Sequence, residues 1–176
     1  PGSPRKTSHT LLLVRHGDIW VSIDSGVPRG LLLEAWSNGA LESFTAYDQF
    51  KAEVFYGQSR LDFLLTGPEV APCWVEAKSA TLVIGGEARF PDAPTDRGAR
   101  HLRELAAARA EGLRAAVIFV IQREDAAAFA PNDETDPVFG DQLRRAAAAG
   151  VEICPLVCRV DEQGIEIAGT VPFLRC

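Results

Sequence analysis

From Arg114 to Gln122 the chain reads R-A-A-V-I-F-V-I-Q, an unbroken apolar run between a charged and an amide side chain. The run is far too short to span a bilayer. Its Val, Ile and Phe favour an extended strand. Both faces of that strand are apolar, so both must be covered, which is the pattern of a strand inside a sheet with helices on its two sides. Helix-forming segments stand in the right places. One is predicted from about Thr95 to Gly112 before the strand, and another from Pro137 to Ala149, stopped by Gly150, after it.

The remaining segments supply the rest of the sheet. Thr10–Val14 and Ile19–Ile23 read as a hairpin around His16–Asp18. Pro28 suits the first turn of a helix that runs to Asn38 and stops at Gly39. Phe50–Tyr56 and Ser59–Leu65 are strands separated by Gly57, and Gly67-Pro68 marks a turn before the strand Cys73–Ser79. Thr81–Phe90 is expected to continue the sheet around Gly85-Gly86, and Val151–Val160 and Ile165–Ile167 to complete it. The order β-β-α-β-β-β-α-β-α-β-β gives an α/β (α+β) fold, a mixed β-sheet flanked by helices. At 176 residues this is one domain, predicted over 10–176. Residues 1–9 begin Pro-Gly-Ser without Met and read as a tag remnant or linker. No apolar leader is visible, and the four cysteines (Cys73, Cys154, Cys158 and Cys176) lack a Cys-x-x-Cys spacing. Buried free thiols, a cytoplasmic location and no membrane role are the corresponding expectations.

The formal net charge is −6, which excludes a generic polyanion binder; any nucleic-acid contact needs a local basic patch, a metal ion or another domain. Of the 18 basic residues only Lys6, Lys51 and Lys78 are lysines. In so arginine-rich a chain, a lysine inside a strand draws the eye.

On the strand Ser59–Leu65, Leu61, Phe63 and Leu65 point one way, and Arg60, Asp62 and Leu64 the other. On Cys73–Ser79, Glu76 and Lys78 share a face with Trp74, about 6–7 Å apart along the strand. The short Gly67–Pro72 connection folds this strand back beside Asp62. Two carboxylates and an ammonium then converge. Asp62 and Glu76, with the carbonyl of Ala77, form an oxygen set suited to Mg²⁺ or Mn²⁺. Lys78 beside them can orient or deprotonate a water and offset charge on a phosphate. Glu-x-Lys alone also describes a solvent-facing ion pair worth little.

In the helix from Thr95, Ala99, Leu102, Leu105, Ala106 and Leu113 form the buried stripe, and Arg97 and His101 lie on another side. Asp92 or Thr95 can cap it, and its basic N-terminus suits a phosphate backbone. Arg97, Arg100 and His101 are candidate nucleic-acid contacts, with Arg60 from the strand that carries Asp62; for His101 a merely packed role is equally open. Glu34, on the first helix, reads as a surface glutamate or as a third metal carboxylate. Asp133–Asp136 reads as a solvated loop and Cys73 as core.

The stretches YGQSRLDFLL (Tyr56–Leu65), WVEAKSATL (Trp74–Leu82), RFPDAPTDRGARHLREL (Arg89–Leu105), AVIFVIQR and GVEI resemble the sugar fermentation stimulation protein A family from about Thr10 onward. The run FPDA-x-T-x-RG-x-x-HL is the most specific. The resemblance implies a PD-(D/E)xK restriction-endonuclease-like core in which Asp62, Glu76 and Lys78 are the catalytic signature and Glu34 the helix acid. It also implies an N-terminal OB-type domain in the full-length protein, which this segment lacks. Two functions follow from it. One is a metal-dependent nuclease acting on DNA, with RNA open as a second substrate. The other is a non-catalytic DNA-binding protein regulating sugar-utilisation genes.

Overall fold

The computed structural model describes residues 9–175; residues 1–8, which hold nearly all of the expected tag remnant or linker, and Cys176 lie outside the described residues. In chain order, the hairpin β1 (Leu13–His16) and β2 (Ile19–Ser22) leads into α1 (Val27–Ser37). A 3-10 turn at Glu42–Phe44 precedes β3 (Gln49–Tyr56), β4 (Ser59–Thr66) and β5 (Cys73–Ala80). There follow β6 (Leu82–Ile84), β7 (Glu87–Phe90), α2 (Asp96–Ala110) and β8 (Arg114–Ile121). The chain ends with β9 (Ala128–Pro131), α3 (Pro137–Ala148), β10 (Glu152–Val160) and β11 (Ile165–Thr170). Among the described residues no helix is long and apolar enough to cross a membrane.

The apolar run occupies the middle of the molecule. β8 lies between β5 and β10, parallel to both, in a mixed sheet of order β11-β10-β8-β5-β4-β3. Every side chain from Ala115 to Ile121 is fully buried. Ala115, Val117, Phe119 and Ile121 pack with Leu102 and Leu105 of α2 and with Phe139 and Leu143 of α3. Ala116, Ile118 and Val120 pack on the other face with Leu32 and Ala35 of α1. Burying each large apolar side chain contributes roughly 1.5–3 kcal/mol, so this one strand anchors both cores. The described cysteines, Cys73, Cys154 and Cys158, are free thiols, as expected.

Two expectations need correction. Thr81–Phe90 does not continue the main sheet. Gly85 and Gly86 both have positive φ, 59° and 83°, and reverse the chain tightly. The resulting hairpin β6-β7 joins β9 in a separate three-stranded sheet. β9 itself escaped prediction because A-F-A-P has no alternation and follows a run of helix-forming alanines.

Nor is Asp133–Asp136 a wholly solvated loop. Asp136 is buried, and its carboxylate accepts the Phe139 N–H at 2.9 Å as the N-cap of α3 and the Thr95 N–H at 2.8 Å. Thr95 in turn caps α2, its hydroxyl accepting the Gly98 N–H at 3.0 Å. The helix starts are packed so closely that a Cβ on Gly98 would sit 2.9 Å from Thr95 and 3.1 Å from Phe139. One carboxylate therefore ties two helix N-termini together. Asp136→Ala is expected to lower stability by about 2 kcal/mol, the upper end for a lost N-cap because two donors are orphaned. Urea denaturation checks this; a loss below about 0.5 kcal/mol contradicts it.

Candidate active site

β4 and β5 start as an ordinary antiparallel ladder, with Leu65 opposite Cys73, Leu64 opposite Trp74 and Phe63 opposite Val75. There the pairing stops, while β5 continues along β8 to Ala80. The next position on β4 is Asp62. Its Oδ2 accepts the backbone N–H of Ala77 at 2.9 Å, so a side chain replaces the missing strand as acceptor. In a strand, the N–H and C=O of one residue point to the same edge. The Ala77 carbonyl therefore faces the gap beside Asp62.

The separation has a backbone cause on the other side of β4. Glu53 sits between the pairs Ala52–Phe63 and Val54–Leu61, which puts it across from Asp62. Its φ is 56°, a left-handed conformation that costs a non-glycine residue roughly 1–2 kcal/mol. At this step the strands turn over. Phe63 and Leu65 pack on the α1 side, but Leu61 and Val54 pack on the α2 side. Arg29 of α1 holds the kink, donating to Glu53 Oε1 at 2.6 Å and lying 3.9 Å from Asp62 Oδ1. Arg60 approaches the other Glu53 oxygen at 3.5 Å. The Arg29 hydrogen bond holds the Glu53 carboxyl below its usual range.

Glu76 and Lys78 lie on the α2 face of β5, as the alternation requires. They are not a solvent-facing pair: their side chains are 5% and 13% exposed, and Lys78 Nζ is 2.5 Å from Glu76 Oε1. His101 of α2 brings its Nδ1 to the same oxygen, also at 2.5 Å. Glu76 Oε2 is buried and has no hydrogen-bond partner. Burial raises the Glu76 pKa, but the His101 hydrogen bond and the Lys78 charge outweigh it and leave the group below its usual range. Asp62 goes the other way. Burial, and then repulsion from Glu76, raise its pKa more than the Ala77 N–H lowers it.

The predicted residues are thus sorted. Asp62, Glu76, Ala77 and Lys78 come together. Arg97 and Arg100 are exposed on the first turns of α2, and Arg100 Nε bonds Ser59 Oγ at 3.2 Å, next to Arg60. His101 is no part of that surface. It is 1% exposed and faces inward, because its position on the helix flanks Leu102 and Leu105 over the sheet. Glu34 is also displaced from the site. It is exposed and shares a shallow groove with Asn38, Ala40 and Ile165–Ile167. That groove is at the β11 edge, four strand spacings or about 19 Å from β4. α1 contributes Arg29 to the site instead.

Arg29 and Glu53 escaped the sequence reading, although the turn pairing Tyr56 with Ser59 fixes Glu53 opposite Asp62. Among the described residues no group of three or more His, Cys, Asp or Glu side chains is arranged to hold a metal ion by side chains alone. Two carboxylates and a carbonyl do meet, and the unpartnered Glu76 Oε2 is an orphaned buried acceptor that a hard cation would satisfy. Cys73 packs on the opposite face with its thiol pushed up to about 12, so no soft ligand competes.

A family model described as the sugar fermentation stimulation protein RE domain matches residues 26–164. The chain is 50% identical over 177 residues to the sugar fermentation stimulation protein homolog of Symbiobacterium thermophilum, covering 98% of this chain and 70% of that protein. It is 50% identical over 167 residues to the homolog of Moorella thermoacetica, covering 95% and 72%. Its fold is similar to the solved structure of Pyrococcus furiosus SfsA in complex with Ca²⁺, with a TM-score of 0.90 at 30% identity over 99% of this chain and 75% of that one.

The Asp62 shift carries a sign that can be measured. A carboxyl whose folded pKa lies above its unfolded value adds stability only below the unfolded value, and loses it as pH rises through the folded one. At pH 7, above the ordinary carboxyl range, Asp62 is therefore a cost. Asp62→Asn keeps an acceptor for the Ala77 N–H and removes that cost. The variant should melt a few degrees higher than wild type at pH 7, with the gain shrinking as pH falls through the Asp62 titration. A lower Tm at pH 7 contradicts this reading of the site.

Proposed function

The chain belongs to the sugar fermentation stimulation protein family, and from that premise we propose that it is a divalent-metal-dependent nuclease hydrolysing phosphodiester bonds in DNA, with RNA as a second substrate class. The observation that carries this reading is the buried, unpartnered Oε2 of Glu76, a carboxylate whose charge bears on Asp62 where β4 leaves β5. A relative solved with Ca²⁺, a hard oxygen-seeking ion, supports a divalent cation of the same kind here. Asp62, Glu76 Oε2 and the Ala77 carbonyl would hold Mg²⁺ or Mn²⁺, with water and phosphate oxygens completing the shell. Such an ion, when bound, polarises a phosphoryl oxygen and makes a bound water more acidic.

The chain's own groups supply the rest. Glu76 is poised as an anion, ready to act as a ligand. Lys78 reaches the same locus with an ammonium that orients the attacking water through Nζ and offsets the charge gathering on phosphate. Arg60, Arg97 and Arg100 give an acidic chain a local cationic rim for the sugar-phosphate backbone. An OB-type domain preceding this one would add affinity that the rim alone does not supply.

Cleavage of single- and double-stranded oligonucleotides with Mn²⁺ and with a chelator tests the proposal. Glu76→Ala should lose both Mn²⁺ binding and cleavage. Lys78→Arg should fall by roughly 10²-fold or more in single-turnover rate, because the bulkier, planar guanidinium cannot take the compact ammonium's place at the water. Lys78→Ala should also cost stability, since it leaves the buried Glu76 with one donor fewer. Salt-dependent DNA binding by a folded wild type with no turnover in Mg²⁺ or Mn²⁺ would overturn the enzyme in favour of a binding protein. Full activity in Lys78→Arg would remove Lys78 from the mechanism.

A further inference from the structure

We infer that His101 is a positioning residue for Glu76, selecting which carboxylate oxygen is presented to a metal in the Asp62 gap; this rests on the proposed metal site. A carboxylate is symmetric, and a lone glutamate can offer either oxygen. Here the symmetry is broken. Lys78 Nζ and His101 Nδ1 both converge on Oε1, each at 2.5 Å, and Oε2 is left buried without a partner. Lys78 reaches Glu76 from the same strand, two residues on. His101 reaches it from α2, so it ties the ligand to a separate rigid element.

The far side of the imidazole fixes its tautomer. Arg97 Nε lies 3.4 Å from His101 Nε2 in donor geometry. A guanidinium only donates, so Nε2 accepts and the ring proton sits on Nδ1, where it can be given to Glu76. Arg97 is one helical turn before His101 and exposed, while His101 is 1% exposed. Leu102 and Leu105, both fully buried, seat the helix on the sheet and hold the ring in place. The chain Arg97–His101–Glu76 thus has the form of the outer-shell partners that orient metal ligands, although here the imidazole stands behind a carboxylate.

The test is Mn²⁺ titration calorimetry on the substrate-free protein, beside a thermal melt. His101→Leu, which keeps bulk but loses the donor, should bind Mn²⁺ about 10–100-fold more weakly, the range for lost outer-shell partners. His101→Asn, whose amide N–H stands near the place of Nδ1–H, should recover most of that affinity. His101→Gln, which carries its amide one bond too far, should not. If His101→Leu fails to fold, the Asn and Gln pair still decides. Equal affinity in wild type and His101→Leu, or no difference between Asn and Gln, overturns the positioning role while leaving the nuclease reading intact. Mn²⁺ binding of the expected order without cleavage overturns the nuclease reading and leaves the positioning role standing. A wild type that binds no Mn²⁺ overturns both.

Discussion

The hydrogen bond from the Ala77 N–H to Asp62 Oδ2 governs how this molecule is built around its site. An antiparallel pair that simply continued would bury Asp62 against Glu76, two like charges with no room between them. Two strands that simply parted would leave the Ala77 N–H and C=O unpaired in the interior, at a cost of several kcal/mol for the two groups. The aspartate resolves the conflict by accepting the N–H and leaving the carbonyl facing an open gap. β8 makes this possible from behind. It stays paired with β5 through Ala80, so the strand that has lost one neighbour does not lose both.

The electrostatics of the gap are asymmetric. Glu76 receives a lysine and a histidine on one oxygen, and its pKa falls despite burial. Asp62 is buried against a like charge, and the Ala77 N–H, the Lys78 ammonium and the Arg29 guanidinium at 3.9 Å do not make up for it, so its pKa rises. With one Glu76 oxygen left without a donor and Asp62 set against a like charge, the gap keeps negative charge that its own groups do not fully offset. That is the usual relation between binding capacity and stability: groups arranged for a ligand are poorly arranged for each other.

Much of this was legible in the residues. The β8 run dictated a covered sheet, and strand alternation placed Glu76 and Lys78 on one face. The short turn after Thr66 brought Asp62 alongside. What was hidden depended on where a helix crosses the sheet, which periodicity does not encode. Glu34 and Arg29 are both on α1, and only its docking decides that Arg29 overlooks Asp62 while Glu34 faces β11. His101 is polar on a basic helix, yet helix rotation buries it. Asp136 looked like one more acid in a loop, because its two partners come from segments 41 and three residues away. Glu53 broke the preference of its strand for ordinary φ, and local sequence gives no warning of a left-handed glutamate.

That glutamate has an effect beyond the site. β3 is the outermost strand of the sheet, eight residues long and largely exposed, with Phe50 and Phe55 open to solvent. A flat apolar border of that kind invites another chain to dock along it and start a fibre. The reversal at Glu53 interrupts the row of outward N–H and C=O groups halfway along, and the charges of Lys51, Glu53 and Arg60 sit around the break. The distortion that opens the gap on the inner side also denies the outer border a continuous template for self-association.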